Sequence, residues 1–370
     1  MFRNLIDGLF GRSAPVSVNA LVDEGNRLAA QGEHERAVAC YDRALAHDPA
    51  SAVAQNNRSL SLFALGRTKE AWVASEARFQ LQEKTRRFAA SPPVPRWHGE
   101  RLDGRLLVLW EQGLGDVLQH LRFLPVAAVR TGGLAFLCPA PLAGLVAHSF
   151  PGIEVLVAKK GWSPAWRTYA AHVPLLSLPL ALSRAQADVA VTVPYLAPDV
   201  ARASRWREVL APVKELRAAL VWAGARSYGN DRKRSIPSRE VAPLLAVPGV
   251  RWYALQNGVD DEARTAFAAA GSIEYVGERL PDFAEIAAFM ASLDLVVTVD
   301  TSFGNLAGAL GRPLWMLLAR SPDWRWGLGT DTGPWYPSAR LFRQGDDAGW
   351  PPVIARVAAA LDARVRSAHA

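Results

Sequence analysis

From residue 105 onward the chain sets short apolar runs against alanine-rich segments, and this alternation limits the folds open to it more than any other feature. Arg105–Trp110, Leu134–Cys138, Glu154–Val157, Ala218–Trp222, Trp252–Leu255, Leu295–Val299 and Leu314–Leu318 are each four to six residues long and bounded by turn residues. Runs this short and continuous predict strands covered on both faces, the environment of a parallel sheet. Helical segments such as Asp282–Ser292 and Leu306–Leu310 fall between them, so the pattern predicts alternating β and α in open sheets. The strands form one group before about residue 200 and another after about 215, which predicts an α/β fold of two doubly wound domains in tandem.

A second regularity precedes the strands. Gly25, Leu28, Gly32, Ala37, Tyr41, Ala44 and Pro49 occupy the small, bulky and helix-ending positions of a tetratricopeptide unit. Gly32 and Ala37 recur as Gly66 and Ala71, a shift of 34 residues that equals the period of this repeat. Alanines at the crossing let two helices approach, and a glycine turns the chain between them. The second copy is degraded, with Ser75, Arg78 and Glu83 where Tyr41, Ala44 and Pro49 stood, as befits a terminal unit. Two repeats cannot build a long superhelix. They are expected to dock on the next domain, to bind a protein partner or to mediate self-association. The stretch Ser91-Pro-Pro-Val-Pro-Arg-Trp97 cannot be helical and reads as a linker.

Composition narrows the function classes. The 370 residues carry 42 basic and 35 acidic side chains, but only six of the cations are lysines and most arginines stand singly. A nucleic-acid partner is therefore not expected, and the one basic cluster is Arg226, Arg232, Lys233 and Arg234. Cys40 and Cys138 are the only cysteines and neither has metal-ligand spacing around it, which argues against a disulfide framework or zinc module and fits a reducing, cytoplasmic setting. No apolar run approaches the roughly 18 residues of a membrane span, so no transmembrane segment is expected. The first fifteen residues, with Asp7 inside a short apolar stretch, read as a frayed amphipathic arm rather than a secretory signal.

In an open α/β sheet, ligands bind beyond the carboxyl ends of the strands. Four such loops hold chemistry. In the first, Glu111-Gln112-Gly113-Leu114-Gly115-Asp116, two glycines let the backbone approach a ligand, and Asp116 serves as a helix N-cap or as a carboxylate exposed in a crevice. In the second, Gly224 leads to Arg226, Arg232 and Arg234, which suit a diphosphate or form a mobile surface loop. In the third, Asp300-Thr301-Ser302-Phe303-Gly304-Asn305 opens a helix whose free amides and hydroxyls could hold phosphate oxygens. Capping explains Thr301 and Ser302 as well, but an aspartate ending a buried strand needs hydrogen-bond partners. The fourth, Asp323-Trp324-Arg325-Trp326 with Trp335-Tyr336-Pro337, offers flat rings that suit a sugar or a base, or simply fill a core.

These loops, in this order behind the repeats, resemble bacterial repeat-containing glycosyltransferases related to the lipopolysaccharide heptosyltransferases, and more distantly O-linked N-acetylglucosamine transferases. The resemblance covers residues 18–345 and rests on Glu111–Asp116, Val299–Thr301, Leu306–Pro313, Asp323–Trp326 and Trp335–Pro337. It implies a GT-B fold of two Rossmann-like domains behind a small all-α repeat domain. The implied organisation is an arm over 1–15, repeats over 16–85, a linker over 86–104, an acceptor domain over 105–205, a nucleotide-sugar donor domain over 215–345 and a C-terminal helix over 346–370. It also implies Asp116 as catalytic base, Arg234 at the donor phosphate, and Asp300 and Thr301 lining the nucleotide-sugar site. Gly224, Arg226, Arg232, Gln256, Ser302, Asn305, Trp324 and Arg325 are placed with the donor, and Gln112, Gly113 and Gly115 with the acceptor or its loop. One departure stands out: Asn305 occupies the place of a usual histidine, so no imidazolium is available there to offset diphosphate charge.

The expected reaction is inverting transfer of a hexosyl- or heptosyl-type sugar from a nucleoside-diphosphate sugar, the co-substrate, to a hydroxyl on a protein or glycan. No Asp-x-Asp triplet occurs, so neither a metal nor another cofactor is expected. The competing reading, motivated by Asn305 and the degraded repeat, is a non-catalytic nucleotide-sugar-binding or protein-interaction adaptor.

Overall fold

The computed structural model describes residues 17–81, 92–157, 165–184, 192–210, 212–225, 231–346 and 349–369. The arm expected over 1–15, Glu83 and Arg226 lie outside them. The chain divides into two compact units at Arg86.

In the first unit, α1 (Val18–Ala30) packs on α2 (His34–His47), and α3 (Ala52–Ala64) on α4 (Thr68–Ser75). Ser17 and Ser51 cap α1 and α3, each hydroxyl accepting an N–H three residues on. Gly32 and Gly66 take the same left-handed turn, with φ of +82° and +74°, a backbone that favours glycine. Gly25 lies against the ring of Tyr41, whose hydroxyl donates to Asn26 Oδ1 at 2.9 Å. A methyl group at Gly25 would stand 2.8 Å from Tyr41 Cζ. Gly25→Ala is therefore expected to cost about 1–3 kcal/mol, read as a lower urea midpoint for the helical signal; an unchanged midpoint would mean the ring moves aside freely. The degraded copy explains its own distortion. Arg78 is buried where Ala44 was, bonded to Glu76 at 2.9 Å and to the Ser75 carbonyl. The fourteen-residue α2 has no interruption, whereas α4 stops at Ser75 and a one-turn α5 (Arg78–Leu81) follows.

The second unit contains two parallel sheets. The first comprises β1 (Leu106–Leu109), β2 (Leu134–Cys138), β3 (Glu154–Val157) and β4 (Ala171–Pro174), in the order β3-β2-β1-β4. Its helices are α6 (Leu114–His120), α7 (Leu124–Ala128), α8 (Ala143–Ser149) and α9 (Leu178–Arg184), followed by α10 (Val200–Val209). The second sheet comprises β5 (Leu216–Val221), β6 (Val250–Ala254), β7 (Ile273–Tyr275), β8 (Leu295–Val299), β9 (Leu314–Leu318) and β10 (Ala339–Arg343), in the order β10-β9-β8-β5-β6-β7. Its helices are α11 (Asp231–Arg234), α12 (Ser238–Val241), α13 (Asp261–Ala270), α14 (Phe283–Met290), α15 (Ser302–Ala309) and α16 (Pro351–His369).

All seven apolar runs form strands, and β1, β2, β8 and β9 are buried throughout. β3 departs from the expectation of two covered faces, because it is an edge strand with its ends exposed. The unanticipated strands β4, β7 and β10 are short or edge strands whose polar residues break the apolar signal. The stretch expected as a linker is also different over its described part. Trp97 N–H donates to the His172 carbonyl at 2.8 Å and His172 N–H to the Pro95 carbonyl at 2.9 Å, so this segment extends the first sheet beyond β4. Trp97 is thereby buried in the core. The proline-rich composition excludes helix but not an edge position, where a missing N–H is tolerated.

The end of the first α/β domain expected at 205 falls inside α10, and this helix lies on α14 of the second. Glu285 accepts from Trp206 Nε1 at 2.7 Å and from Arg202 Nη1 at 3.1 Å. One apolar core runs through both sheets, from Trp97 and β1 by way of α14 to Leu341. Another fills the opposite face of the second sheet and is closed by Val353, Ile354, Val357 and Leu361 of α16. Among the described residues no helix is long and apolar enough to cross a membrane.

Candidate active site

The loops leaving β1 and β8 bring the starts of α6 and α15 together. Gly115 stands at this meeting point, since a methyl group there would lie 3.1 Å from Asn305 Nδ2 and 3.8 Å from Ser302 Cα. The second glycine of the loop thus lets two helix starts touch. The first, Gly113, is the N-cap of α6, and its N–H donates to Asp116 Oδ2 at 3.0 Å. Asp116 is therefore not itself the N-cap: it occupies the third helical position and reaches back over the first turn. Just before it, Gln112 is exposed with φ of +62°, the only non-glycine residue with positive φ among the described residues. A glutamine held in that region costs about 1–3 kcal/mol, which the surrounding loop must supply.

The other oxygen of Asp116 is met from the second sheet. Arg325 donates through Nη2 to Asp116 Oδ1, through Nε to Gln119 Oε1, and pairs through Nη1 with Asp323 Oδ1 at 2.6 Å. Its guanidinium also lies 4.9 Å from the Trp324 ring, which stands edge-on to Trp335 at 6.0 Å. Burial brings Arg325 down to about 10, still a cation at neutral pH. Arg325, expected at the donor, is thus engaged across the seam by Asp116 and Gln119.

At the start of α15, the buried Thr301, expected in the nucleotide-sugar site, has a protein partner for its hydroxyl. The hydroxyl lies 3.0 Å from Thr298 Oγ1, which in turn donates to the Val299 carbonyl. Among the described residues no side chain caps α15, so its first-turn amides have no side-chain acceptor there, and Ser302 beside them is half-buried. Asn305, expected at the donor, is buried: its Nδ2 donates to the Thr301 carbonyl at 3.2 Å, and its Oδ1 accepts from the Tyr336 hydroxyl at 3.0 Å. A neutral amide fits this place because it can donate and accept at once.

Within the described part of the basic cluster, Arg234 is tied down by protein partners. Arg234 pairs with Asp231 at 3.1 Å and donates through Nη1 to the Asp300 carbonyl at 2.6 Å, beside the start of α15. Gly224 lies under this pair, its N–H donating to Ser235 Oγ at 3.0 Å, and any side chain there would overlap Asp231 and Arg234. Gln256 accepts from Ala223 N–H at 3.1 Å and so braces the same loop. Arg232 is exposed. Burial raises the Asp300 carboxyl, against the opposing pull of the Trp326 indole and the Arg234 charge. Desolvation by the surrounding protein and the Asp300 charge push Asp323 up to about 7, although 28 % of its side chain reaches solvent.

Several residues of this seam were not singled out from the sequence. Arg122 is buried and donates to the carbonyls of Gln119 and Trp335 and to the Tyr195 hydroxyl. Three rings surround it, those of Tyr195, Tyr336 and Trp335, at 4.6, 5.1 and 5.3 Å. Burial holds the Tyr336 phenol well above its ordinary range, so it remains a donor to Asn305. Gln119 and Arg122 follow Asp116 at helical spacing, a signal that was present in the sequence. Tyr195 comes from a distant segment and had none, whereas Tyr336 lay in the fourth loop and was read there with its neighbours as a ring for a sugar or a base or as core filler.

Residues 25–66 match the TPR repeat family. Protein FlbA of Caulobacter vibrioides is 33% identical over 368 residues, an alignment covering 89% of this chain, which spans 59% of that relative. Among solved structures, the glycosyl transferase family 9 protein of Veillonella parvula is similar with a TM-score of 0.51 and 12% identity, covering 73% of this chain and 99% of that one. The E. coli ADP-heptose lipopolysaccharide heptosyltransferase II gives 0.52 and 16%, covering 72% and 100%. Together with the two parallel sheets, these likenesses show that the chain joins tetratricopeptide repeats to the GT-B fold of glycosyltransferases.

Proposed function

We propose that this chain is a glycosyltransferase that moves a sugar from a nucleoside-diphosphate donor to an acceptor hydroxyl with inversion. The observation that carries this reading is the meeting of a carboxylate, Asp116 on α6, with the uncapped start of α15, each at the carboxyl end of its own parallel sheet. The acceptor hydroxyl attacks the anomeric carbon as the bond to the diphosphate breaks, through an oxocarbenium-like transition state. The hydroxyl becomes acidic as its new bond forms, and Asp116 takes the proton late in that step. The departing diphosphate gathers negative charge, which the first-turn amides of α15, its dipole and the neighbouring Arg234 stabilise. The acceptor is a hydroxyl on a protein or glycan, and the repeats are the part of the chain suited to a protein partner or to self-association.

A thermal-shift screen with nucleoside diphosphates and their sugars tests this reading without knowledge of the acceptor. A true donor present at about 100 times its Kd stabilises the folded chain by about 2.7 kcal/mol. Stabilisation by none of them would sink the proposal. Saturable stabilisation with no nucleotide release against any acceptor would favour the adaptor reading.

A further inference from the structure

We propose that Arg325 is a positioning residue for Asp116, so that the base is held in its working orientation only when the two α/β domains meet. The inference rests on the glycosyltransferase reading and adds a role for the seam. Asp116 is fixed at two points. One is local, the Gly113 N–H three residues away. The other comes from 209 residues along the chain, the Arg325 guanidinium on Oδ1.

Only a guanidinium satisfies this geometry. Its Nε–Nη2 edge meets Gln119 and Asp116, which lie one turn apart on the same face of α6, while Nη1 stays on Asp323 of its own loop. A lysine ammonium offers one charged point and cannot span these three acceptors in a plane. Gln119 carries no charge, so its bond to Nε adds orientation rather than attraction. The arginine side chain is only 11% exposed, which shields the pair from solvent screening. Without this second point the carboxylate is held by one hydrogen bond in a loop already strained at Gln112, and its proton-accepting lone pair loses its aim.

The test uses the full chain and the nucleoside-diphosphate sugar that stabilises it most, with release of nucleoside diphosphate to water as the readout. Arg325→Lys and Arg325→Ala are expected to lower kcat by about 10²-fold, the scale of a misplacement of roughly 1 Å, with donor affinity unchanged. Guanidinium ion at millimolar concentration is expected to restore part of the Arg325→Ala rate and none of the Asp116→Asn rate. Loss of donor affinity matching the loss of rate would make Arg325 a donor ligand, and faster release in Arg325→Ala would make it a shield over the base. Either result overturns the proposal. Hydrogen exchange separates this from failure of the glycosyltransferase reading. In Arg325→Ala the amides from Gly113 to Val117 are expected to lose protection whether or not any sugar is turned over, and unchanged protection there overturns the positioning role.

Discussion

Replacing Asp116 with asparagine is expected to lower nucleotide-sugar turnover by about 10²–10⁴-fold, the range a positioned general base contributes, while donor-induced thermal stabilisation persists. The amide keeps the shape of the carboxylate and one acceptor oxygen, so the bond from Gly113 N–H at the start of α6 can survive. It does not keep an anionic oxygen to receive the acceptor proton. Donor binding should be spared because the groups assigned to the diphosphate, the start of α15 and Arg234, belong to the second sheet. The comparison needs single-turnover release measured beside the thermal shift, since a fall in both together would point to a misfolded loop. Unchanged turnover would remove Asp116 from the mechanism.

Tyr336→Ala carries the largest expected loss of stability, about 3–5 kcal/mol for a fully buried ring. Its ring leaves no room for a side chain at Gly308, lies 6.0 Å from that of Trp326, and has the Arg122 guanidinium 5.1 Å away. Truncation empties the space between α15 and the Arg122 cluster, and the cation loses one of the three rings that replace its hydration. Tyr336→Phe separates the hydroxyl from the ring. It leaves Asn305 Oδ1 buried without its donor and is expected to cost about 1–3 kcal/mol. Urea unfolding followed by tryptophan fluorescence reads both values. A Tyr336→Ala midpoint equal to that of the native chain would show that the ring does not hold the seam.

The legible part of this structure was the part set by local pattern. β1, β2, β8 and β9 are continuous apolar runs, and both faces of each are covered, so burial left a direct trace in composition. The glycines at 113 and 115 were read as letting the backbone approach a ligand, and the structure gives each a protein neighbour. One receives the Asp116 carboxylate and the other the start of α15. Not legible were the protein partners of side chains that come from elsewhere in the chain. Arg325 is drawn to Asp116 and Gln119 on α6, more than 200 residues away, and Asn305 to Tyr336. Thr301 turns inward because Thr298 at the end of β8 offers it an oxygen at 3.0 Å. Arg234 differs, since Asp231 stands three residues before it and an ion pair at that spacing is readable from the sequence.

The placement of α10 bears on how such chains can exchange parts. By sequence it ends the first α/β stretch, but its N-cap Asp199 opens a helix whose Trp206 and Arg202 both bond Glu285 of the second. A hybrid joined just after the helix would take Trp206 from one parent and its carboxylate from the other, burying an indole N–H or an acid without its partner. A join before Asp199 keeps the pair in one parent. Recombination between related sequences therefore has its tolerant point some ten residues earlier than the strand pattern suggests, and the exchangeable piece is a sheet together with the helix that lies on it.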